Sequence, residues 1–286
     1  MAIALVTGTS TGIGLATAIT LGRAGHTVFA GMRNPERGDE LRATVAQEKL
    51  PVTVVQLDVD SDASVDGAIG RILAENGRID VLVNNAGIGG GGPVDEAPIA
   101  IFRQAMETNF FGGLRCIKAV VTGMRTRRSG CIVNVTSVAG RFGLSPQAAY
   151  ASSKWAFEGL SECSAQELKA FNVRVAIVEP GVIATPMTMK PRPAMPQSPY
   201  DERRHRIRAF FEASLKTPTS PFVVAEQIRD IVGGTSWQLR YPAGPDAATL
   251  IKWRRDKTDE EWVNLGAASD AEWAADAKKI LGLDVA

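Results

Sequence analysis

The chain has 286 residues, with 32 Lys plus Arg against 31 Asp plus Glu and a formal net charge of +1 at pH 7. Such an even balance gives no global field to draw it onto nucleic acid or an anionic membrane. With 45% apolar and 22% charged residues it has the composition of a folded globular chain, which excludes a disordered, collagen-like or coiled-coil protein.

Residues 2–6 form a short apolar run that stops at Thr7-Gly8, the pattern of a strand buried on both faces. The run starts with no basic region, so it reads as a strand and not as a secretory signal. Helical spacing follows through Ile13, Leu15, Ala16, Ile19 and Leu21. Further strands are predicted at 27–30, 52–57, 79–83, 131–135, 173–178 and 238–241. Helices are predicted at 37–48, 65–73, 99–124, 150–171, 203–211 and 222–232. This alternation predicts right-handed βαβ crossovers. The fold class is therefore α/β: a single doubly wound Rossmann-type domain, with a parallel sheet of about seven strands and helices on both faces. Residues 1–245 are expected to form a dinucleotide-binding catalytic domain, with a proline-rich, substrate-covering excursion at about 186–220. Residues 246–286 are expected to be a C-terminal helical extension of that domain. No stretch nears the ~18 apolar residues of a membrane span.

Cys116, Cys131 and Cys163 are odd in number and lack C-x-x-C spacing, so they read as reduced thiols of a cytoplasmic protein. Only two histidines, His26 and His205, are present, which argues against a His-built metal site, and no metal is expected.

The first chemistry-bearing feature is the turn Gly8-Thr9-Ser10-Thr11-Gly12-Ile13-Gly14, between strand and helix. Glycines let the backbone approach a pyrophosphate closely, and the helix N-terminus offers unpaired N–H groups. The same letters contain a G-x-S-x-G string, the nucleophile elbow of a serine hydrolase. That reading would need His205 as its downstream base, and only seven residues precede Gly8 to supply oxyanion donors. A triphosphate P-loop needs G-K-[ST], and the first lysine is Lys49.

A dinucleotide fold that holds a ribose 2′-OH uses an acidic residue about 20 positions past the glycines. Here Arg33 closes the second strand instead. A guanidinium there suits a 2′-phosphate, and Ser10 could add a hydroxyl, so NADP(H) is favoured over NAD(H). Asp58, at the end of the third strand, is placed either to hydrogen-bond an adenine amino group or to act as a turn or N-cap carboxylate.

Tyr150 and Lys154 are four apart in a predicted helix and share a face. Ser137 ends the preceding strand, at the carboxyl edge where α/β sheets bind ligands. A phenol ionises near pH 10, and an ammonium beside it favours the phenolate, bringing it nearer a working pH.

These motifs, in this order, resemble the short-chain dehydrogenase/reductase family over roughly the first 190 residues. Thr7-Gly8-x-x-x-Gly12-Ile13-Gly14 resembles its cofactor turn, with Ser10 and Thr11 inside it. Asn84-Asn85-Ala86-Gly87 matches its N-N-A-G signature, and Arg33 the position used by its NADP-preferring members. The resemblance implies a catalytic set of Ser137, Tyr150, Lys154 and Asn109. It implies cofactor contacts at Gly8, Ser10, Thr11, Gly12, Ile13, Gly14, Arg33, Asp58, Val59, Asn85, Ala86, Gly87, Tyr150, Lys154, Pro180, Gly181, Val182 and Thr185. The implied reaction passes the pro-S hydride between nicotinamide and a carbinol carbon. Tyr150 exchanges the proton, Lys154 binds the nicotinamide ribose and lowers the Tyr150 pKa, Ser137 orients the substrate oxygen, and Asn109 anchors a water that continues a proton relay.

The expected function is an NADP(H)-dependent carbonyl reductase or secondary-alcohol dehydrogenase acting on a small-molecule ketone or alcohol, with a non-catalytic NADP-binding regulator as the alternative. By resemblance a homodimer or homotetramer is expected, through the helices beginning near Ile99 and Tyr150. Past Pro186 the chain departs from compact family members. Met187, Met189, Met195, Tyr200, Phe210 and Phe211 suggest an apolar wall for a bulky lipophilic substrate, with helix core the alternative for the two phenylalanines. The run Arg203 to Arg206, with Arg208, reads as a solvated helix face.

Overall fold

Six apolar runs, each only long enough to cross a core before a turn signal ends it, and the mixed run before Pro242 become seven strands. In the computed structural model, which describes residues 1–189 and 197–285, they are β1 (Ile3–Thr7), β2 (Thr27–Met32), β3 (Val52–Gln56), β4 (Val81–Asn84), β5 (Gly130–Val135), β6 (Val173–Pro180) and β7 (Arg240–Ala243). They form one parallel sheet in the order β3-β2-β1-β4-β5-β6-β7. The order reverses beside β1, between β2 and β4, which is where a doubly wound sheet opens a crevice at its carboxyl edge.

The intervening helices are α1 (Gly12–Arg23), α2 (Asp39–Glu48), α3 (Asp62–Asn76), α4 (Ile99–Met106), α5 (Gly112–Arg127), α6 (Ala148–Lys169), α7 (Pro186–Met189), α8 (Asp201–Leu215) and α9 (Pro221–Gly233). After β7 come α10 (Ala247–Arg255), α11 (Asp259–Asn264) and α12 (Asp270–Leu281). Successive strand residues point to opposite faces. Ala4 and Val6 therefore join Leu15, Ile19, Val224 and Ile228 of α1 and α9 in one core. Leu5 joins Ile69, Ile72, Ile117, Val120 and Phe157 of α3, α5 and α6 in the other.

The single helix expected at 99–124 is interrupted. Glu107–Phe111 forms a π-helical turn between α4 and α5. The wider turn lets the chain settle against the sheet: a Cβ on Gly112 would come within 2.8 Å of Val59, and a Cβ on Gly113 closer still to the Phe157 ring. Such turns recur at functional sites, and this one turns Asn109 inward, where it is buried.

A third core lies beyond the carboxyl edge of the sheet. Phe142, Ile207, Phe210, Leu250, Trp253 and Trp273 pack there, with the Trp253 ring 4.9 Å from Trp262 and 6.0 Å from Trp273. Capping boxes at Thr258 and Ser269 fix the starts of α11 and α12. The basic run of α8 is a solvated face only in part: His205 and Arg208 are exposed, while the other three arginines are drawn inward. Arg206 is buried and binds Glu202, Asp270 and the Ala268 carbonyl, while Arg203 binds the Gly266 carbonyl and Arg204 pairs with Glu96 and Asp201. These guanidinium groups tie α8 to the C-terminal helices and to the 95–96 loop. Among the described residues, no helix is long and apolar enough to cross a membrane, and no cluster of His, Cys, Asp and Glu could hold a metal ion.

Candidate active site

The glycine turn is built by close approach. Gly8 and Gly12 have φ of +70° and +61°, in the left-handed region where a side chain is strained. A Cβ on Gly8 would lie 2.7 Å from the Ala86 Cα, and one on Gly14 would overlap the Gly8 carbonyl and the Asn85 amide. The turn is clamped from both sides. Thr7 Oγ1 accepts from the Asn85 and Ala86 N–H groups, each at 3.0 Å, and Asn85 Nδ2 donates to the Thr7 carbonyl at 2.9 Å. Thr9 donates to the Gly31 carbonyl through its N–H at 3.0 Å and its hydroxyl at 3.1 Å. Helix α1 begins after Thr11 with no side-chain cap and no acidic residue in its first turn. Its orphan N–H groups and positive end suit an anion. Arg33 sits exposed just past β2, and no carboxylate among the described residues pairs with it. The turn and helix start fit the pyrophosphate of a nicotinamide dinucleotide, and Arg33 is left free to meet an anion.

Other expected contacts divide. The Thr185 methyl would lie 3.1 Å from a Cβ on Gly12, so the loop after β6 closes over the turn. Asp58 Oδ1 accepts from the Asp60 N–H at 3.1 Å, the turn role weighed for it. The Val59 side chain is buried in the core beside Gly112, and its carbonyl accepts from Arg115 Nη1 at 3.1 Å.

Ser137, Tyr150 and Lys154 meet at the carboxyl edge of β5. Ser137 Oγ accepts from the Ala139 N–H at 3.1 Å, capping a short 3-10 turn at Val138–Gly140, and lies 3.5 Å from the Pro180 carbonyl. Helical spacing brings Lys154 one turn below Tyr150, with Nζ 5.7 Å from the ring centroid. Lys154 is only 4% exposed, and Nζ donates to the Val135 carbonyl at 3.0 Å. Burial lowers its pKa from 10.5 to about 8, against the opposing pull of Glu158. Burial pushes the Tyr150 phenol above its ordinary value, while a hydrogen bond with Ser137 pulls it back. Lys154 Nζ is spent on the Val135 carbonyl, so burial and the Ser137 hydrogen bond are the causes that act on the phenol here.

Asn109 is committed to the protein. Its Oδ1 accepts from the Ile88 N–H at 2.8 Å, and its Nδ2 contacts the Ile88 carbonyl and Ser153 Oγ. These bonds hold the 87–88 loop against α6.

Ser137 and Tyr150 open into a cavity of about 720 Å³. Gly89 to Gly92 line one side; Met187, Phe210 and Phe211 line the other; Trp253, Trp273 and Leu281 of the C-terminal helices line it further on. Met187 and both phenylalanines thus take the expected place, Phe210 as core residue and wall together. Met189 is exposed and Tyr200 turns its hydroxyl to Asp95, so neither lines the cavity. Met195 lies outside the described residues. His205 lines the cavity while Ser10 stays on the glycine turn, which leaves the hydrolase reading without its pair.

Sequence reasoning missed Asp246. Its carboxylate accepts from the Val182 N–H at 2.9 Å and packs on Gly181, where a Cβ would lie 2.5 Å from its Cγ. It also missed Glu158, Glu179 and Arg240. The i, i+4 series Tyr150, Lys154, Glu158, Glu162 was the available signal for the first of these.

A family model described as short chain dehydrogenase matches residues 2–196. Retinol dehydrogenase 8 of Bos taurus is 43% identical over 186 residues, covering 63% of this chain and 59% of that relative. The matched part therefore spans about three fifths of its length. Among solved structures, a short-chain dehydrogenase from Streptomyces avermitilis superposes with a TM-score of 0.80 at 32% identity, covering 94% of this chain and 98% of the other. An actinorhodin polyketide ketoreductase solved with NADPH gives a TM-score of 0.73 at 28% identity over 84% and 95% of the two chains.

Proposed function

The chain belongs to the short-chain dehydrogenase/reductase family, and from that premise we propose that it is an NADP(H)-dependent oxidoreductase that interconverts a bulky, lipophilic ketone and its secondary alcohol. The observation that carries the reading is the convergence of Ser137 and Tyr150, backed by Lys154, on one end of the cavity. A bound nicotinamide would supply or accept the hydride. Tyr150 gives its phenolic proton to the carbonyl oxygen in reduction and takes it back in oxidation. Ser137, already within reach of the phenol, orients that oxygen. Lys154 stands ready to exchange the Val135 carbonyl for a ribose hydroxyl and, brought under the phenol, to stabilise its anion.

The uncapped start of α1 supports a dinucleotide pyrophosphate, and exposed Arg33 supports NADP(H) over NAD(H), as does the NADPH-bound neighbour. The cavity's size and aromatic walls support a substrate larger than a simple ketone. Leu250 and Trp253 of α10 and Trp273 and Leu281 of α12 line its wall, which supports counting the C-terminal extension as part of the catalytic domain. Exposed Ile99 of α4, Phe111 of the π turn and Trp155 of α6 support a homodimer or homotetramer through the helices beginning near Ile99 and Tyr150, and three unpaired cysteines support a reducing, cytoplasmic setting.

The test follows NADPH absorbance across ketones from small to polycyclic. The wild type is expected to turn over the larger ones. Tyr150→Phe is expected to lose about 10³-fold or more of that rate while binding NADPH as before; retained turnover would overturn the role of Tyr150.

A further inference from the structure

The ridge of α6 that carries Tyr150 and Lys154 continues at the same spacing into Glu158 and Glu162. Glu158 is 5% exposed and Glu179, facing it from β6, is fully buried. Two carboxylates are not left in a core without a reason. Glu158 Oε1 accepts from Thr136 Oγ1 at 2.6 Å, and Oε2 lies 3.0 Å from Arg240 Nε of β7. Arg240 also reaches Glu162 at 2.7 Å and Glu179 at 3.6 Å, and Arg141 pairs with Glu179 at 2.9 Å. Ionised, Glu158, Glu162 and Glu179 balance Lys154, Arg141 and Arg240.

Lys154 Nζ and the Glu158 carboxylate bond consecutive residues of β5, the Val135 carbonyl and the Thr136 hydroxyl. They sit one helical turn apart in a dry site. The fit is close: a Cβ on Gly140, in the turn that Ser137 caps, would lie 2.9 Å from Glu158 Cγ.

We propose that Glu158 is a positioning residue: its carboxylate, fixed by Thr136 and Arg240, is the counter-ion that keeps the buried ammonium of Lys154 charged and pinned at the end of β5. The consequence for catalysis rests on the redox reading above; the ion pairing does not. Two effects oppose each other at Glu158. Burial and the neighbouring Glu179 raise its pKa, while the Thr136 hydrogen bond and Arg240 lower it. At Lys154, burial disfavours the charge and Glu158 restores part of it. The other charged groups around the pair are Tyr150 and Glu162 on α6, Arg141 after the 3-10 turn, Glu179 on β6 and Arg240 on β7. The facing 84–92 segment carries no titratable side chain. Glu107 of the π turn is drawn off to Arg115.

The experiment is an NMR titration of ¹³Cε-labelled lysines in the full chain without cofactor, with the Lys154 signal assigned by its loss in Lys154→Met. Charges about 6 Å apart across a shielded site couple by about one to two pH units. Glu158→Gln is expected to lower the Lys154 midpoint by that amount, Glu158→Asp to restore most of it, and Glu162→Gln, exposed and two turns away, to leave it in place. A midpoint within about 0.3 pH units of wild type in Glu158→Gln overturns the proposal. Should that variant not fold, Thr136→Val removes only the hydroxyl that anchors Oε1; a smaller shift in the same direction supports the pairing, and none refutes it. In turnover, the alkaline fall of kcat/KM for ketone reduction should move down with the midpoint. A merely structural Glu158 would lower Tm and leave both in place. A wild type with no turnover on any ketone, but with the shifted midpoint, would sink the redox reading and keep the ion pair.

Discussion

Replacing Lys154 by Met should make the protein more stable at neutral pH while abolishing turnover. In the fold the Lys154 pKa falls from 10.5 to about 8, chiefly through burial. Below pH 8 both folded and unfolded chains bind the proton, and the folded state carries the full cost of the buried ammonium. Between about 8 and 10.5 the unfolded chain holds a proton that the folded one has lost, so stability rises with pH across that window. The drop corresponds to about 3 kcal/mol of destabilisation at pH 7. Met fills nearly the same volume without charge, but it forfeits the bond from Nζ to the Val135 carbonyl, a loss of about 1 kcal/mol. Glu158 keeps Thr136 and Arg240 as partners. Urea unfolding at pH 7 should therefore show Lys154→Met more stable by about 1–2 kcal/mol, and the advantage should shrink as the pH rises through 8 to 10. A variant less stable than wild type at pH 7 with an unchanged m value, or a gap that ignores pH, would refute the reasoning.

Gly181→Ala should push Asp246 away and cost its bond to the Val182 N–H, about 1–3 kcal/mol. Its melting temperature should fall by about 3–10 °C, while Gly143→Ala, with nothing within 4 Å of the new Cβ, should melt like wild type; equal melting of the two would contradict the packing of Asp246 on that loop. Arg33→Asp should move the ratio of NADPH to NADH specificity constants by about 10- to 100-fold toward NADH, the loss of one charge-assisted contact, and an unchanged ratio would remove Arg33 from the cofactor site. Phe211→Ala removes an apolar face of the cavity. KM for large ketones should rise about 5- to 30-fold with NADPH affinity constant, and a matching loss for acetone-sized substrates would count against a wall role.

Much of this was legible because the sheet is parallel and buried. Continuous apolar runs gave the first six strands to within about three residues, and turn signals fixed their carboxyl ends, where the proposed chemistry lies. The glycine turn, Tyr150, Lys154 and Ser137 were readable because each needs a particular residue type at a local spacing. Asn109 was readable as a position, but the partners of its amide, Ile88 and Ser153, were not, since the π turn that aims it has no sequence signal. Asp246 and Arg240 were not legible. Each acts across more than 60 residues of sequence, on Val182 and Glu158, and nothing local marks a carboxylate that rests on a distant glycine. Arg206 misled for the same reason: its partners at 268 and 270 lie in a segment whose path no periodicity reveals.

The position of the site follows from how a parallel sheet ends. A strand's last carbonyls have no further ladder partner, and burial without one is costly. Here they recruit side chains: Asn85 donates to Thr7, Thr9 to Gly31 near the end of β2, and Lys154 to Val135, while the Ser137 hydroxyl approaches Pro180 at 3.5 Å. Each donor thereby stands at the carboxyl edge, beside the crevice, with its rotamer fixed by a backbone atom. A ligand that offers better acceptors can take over Lys154 or Ser137 at the cost of one exchanged hydrogen bond, with no reorganisation of the helix that carries it. On the proposed reading, the donors that satisfy the sheet are the groups a substrate or cofactor would take over, which reconciles the burial of Ser137 and Lys154 with a role in the chemistry.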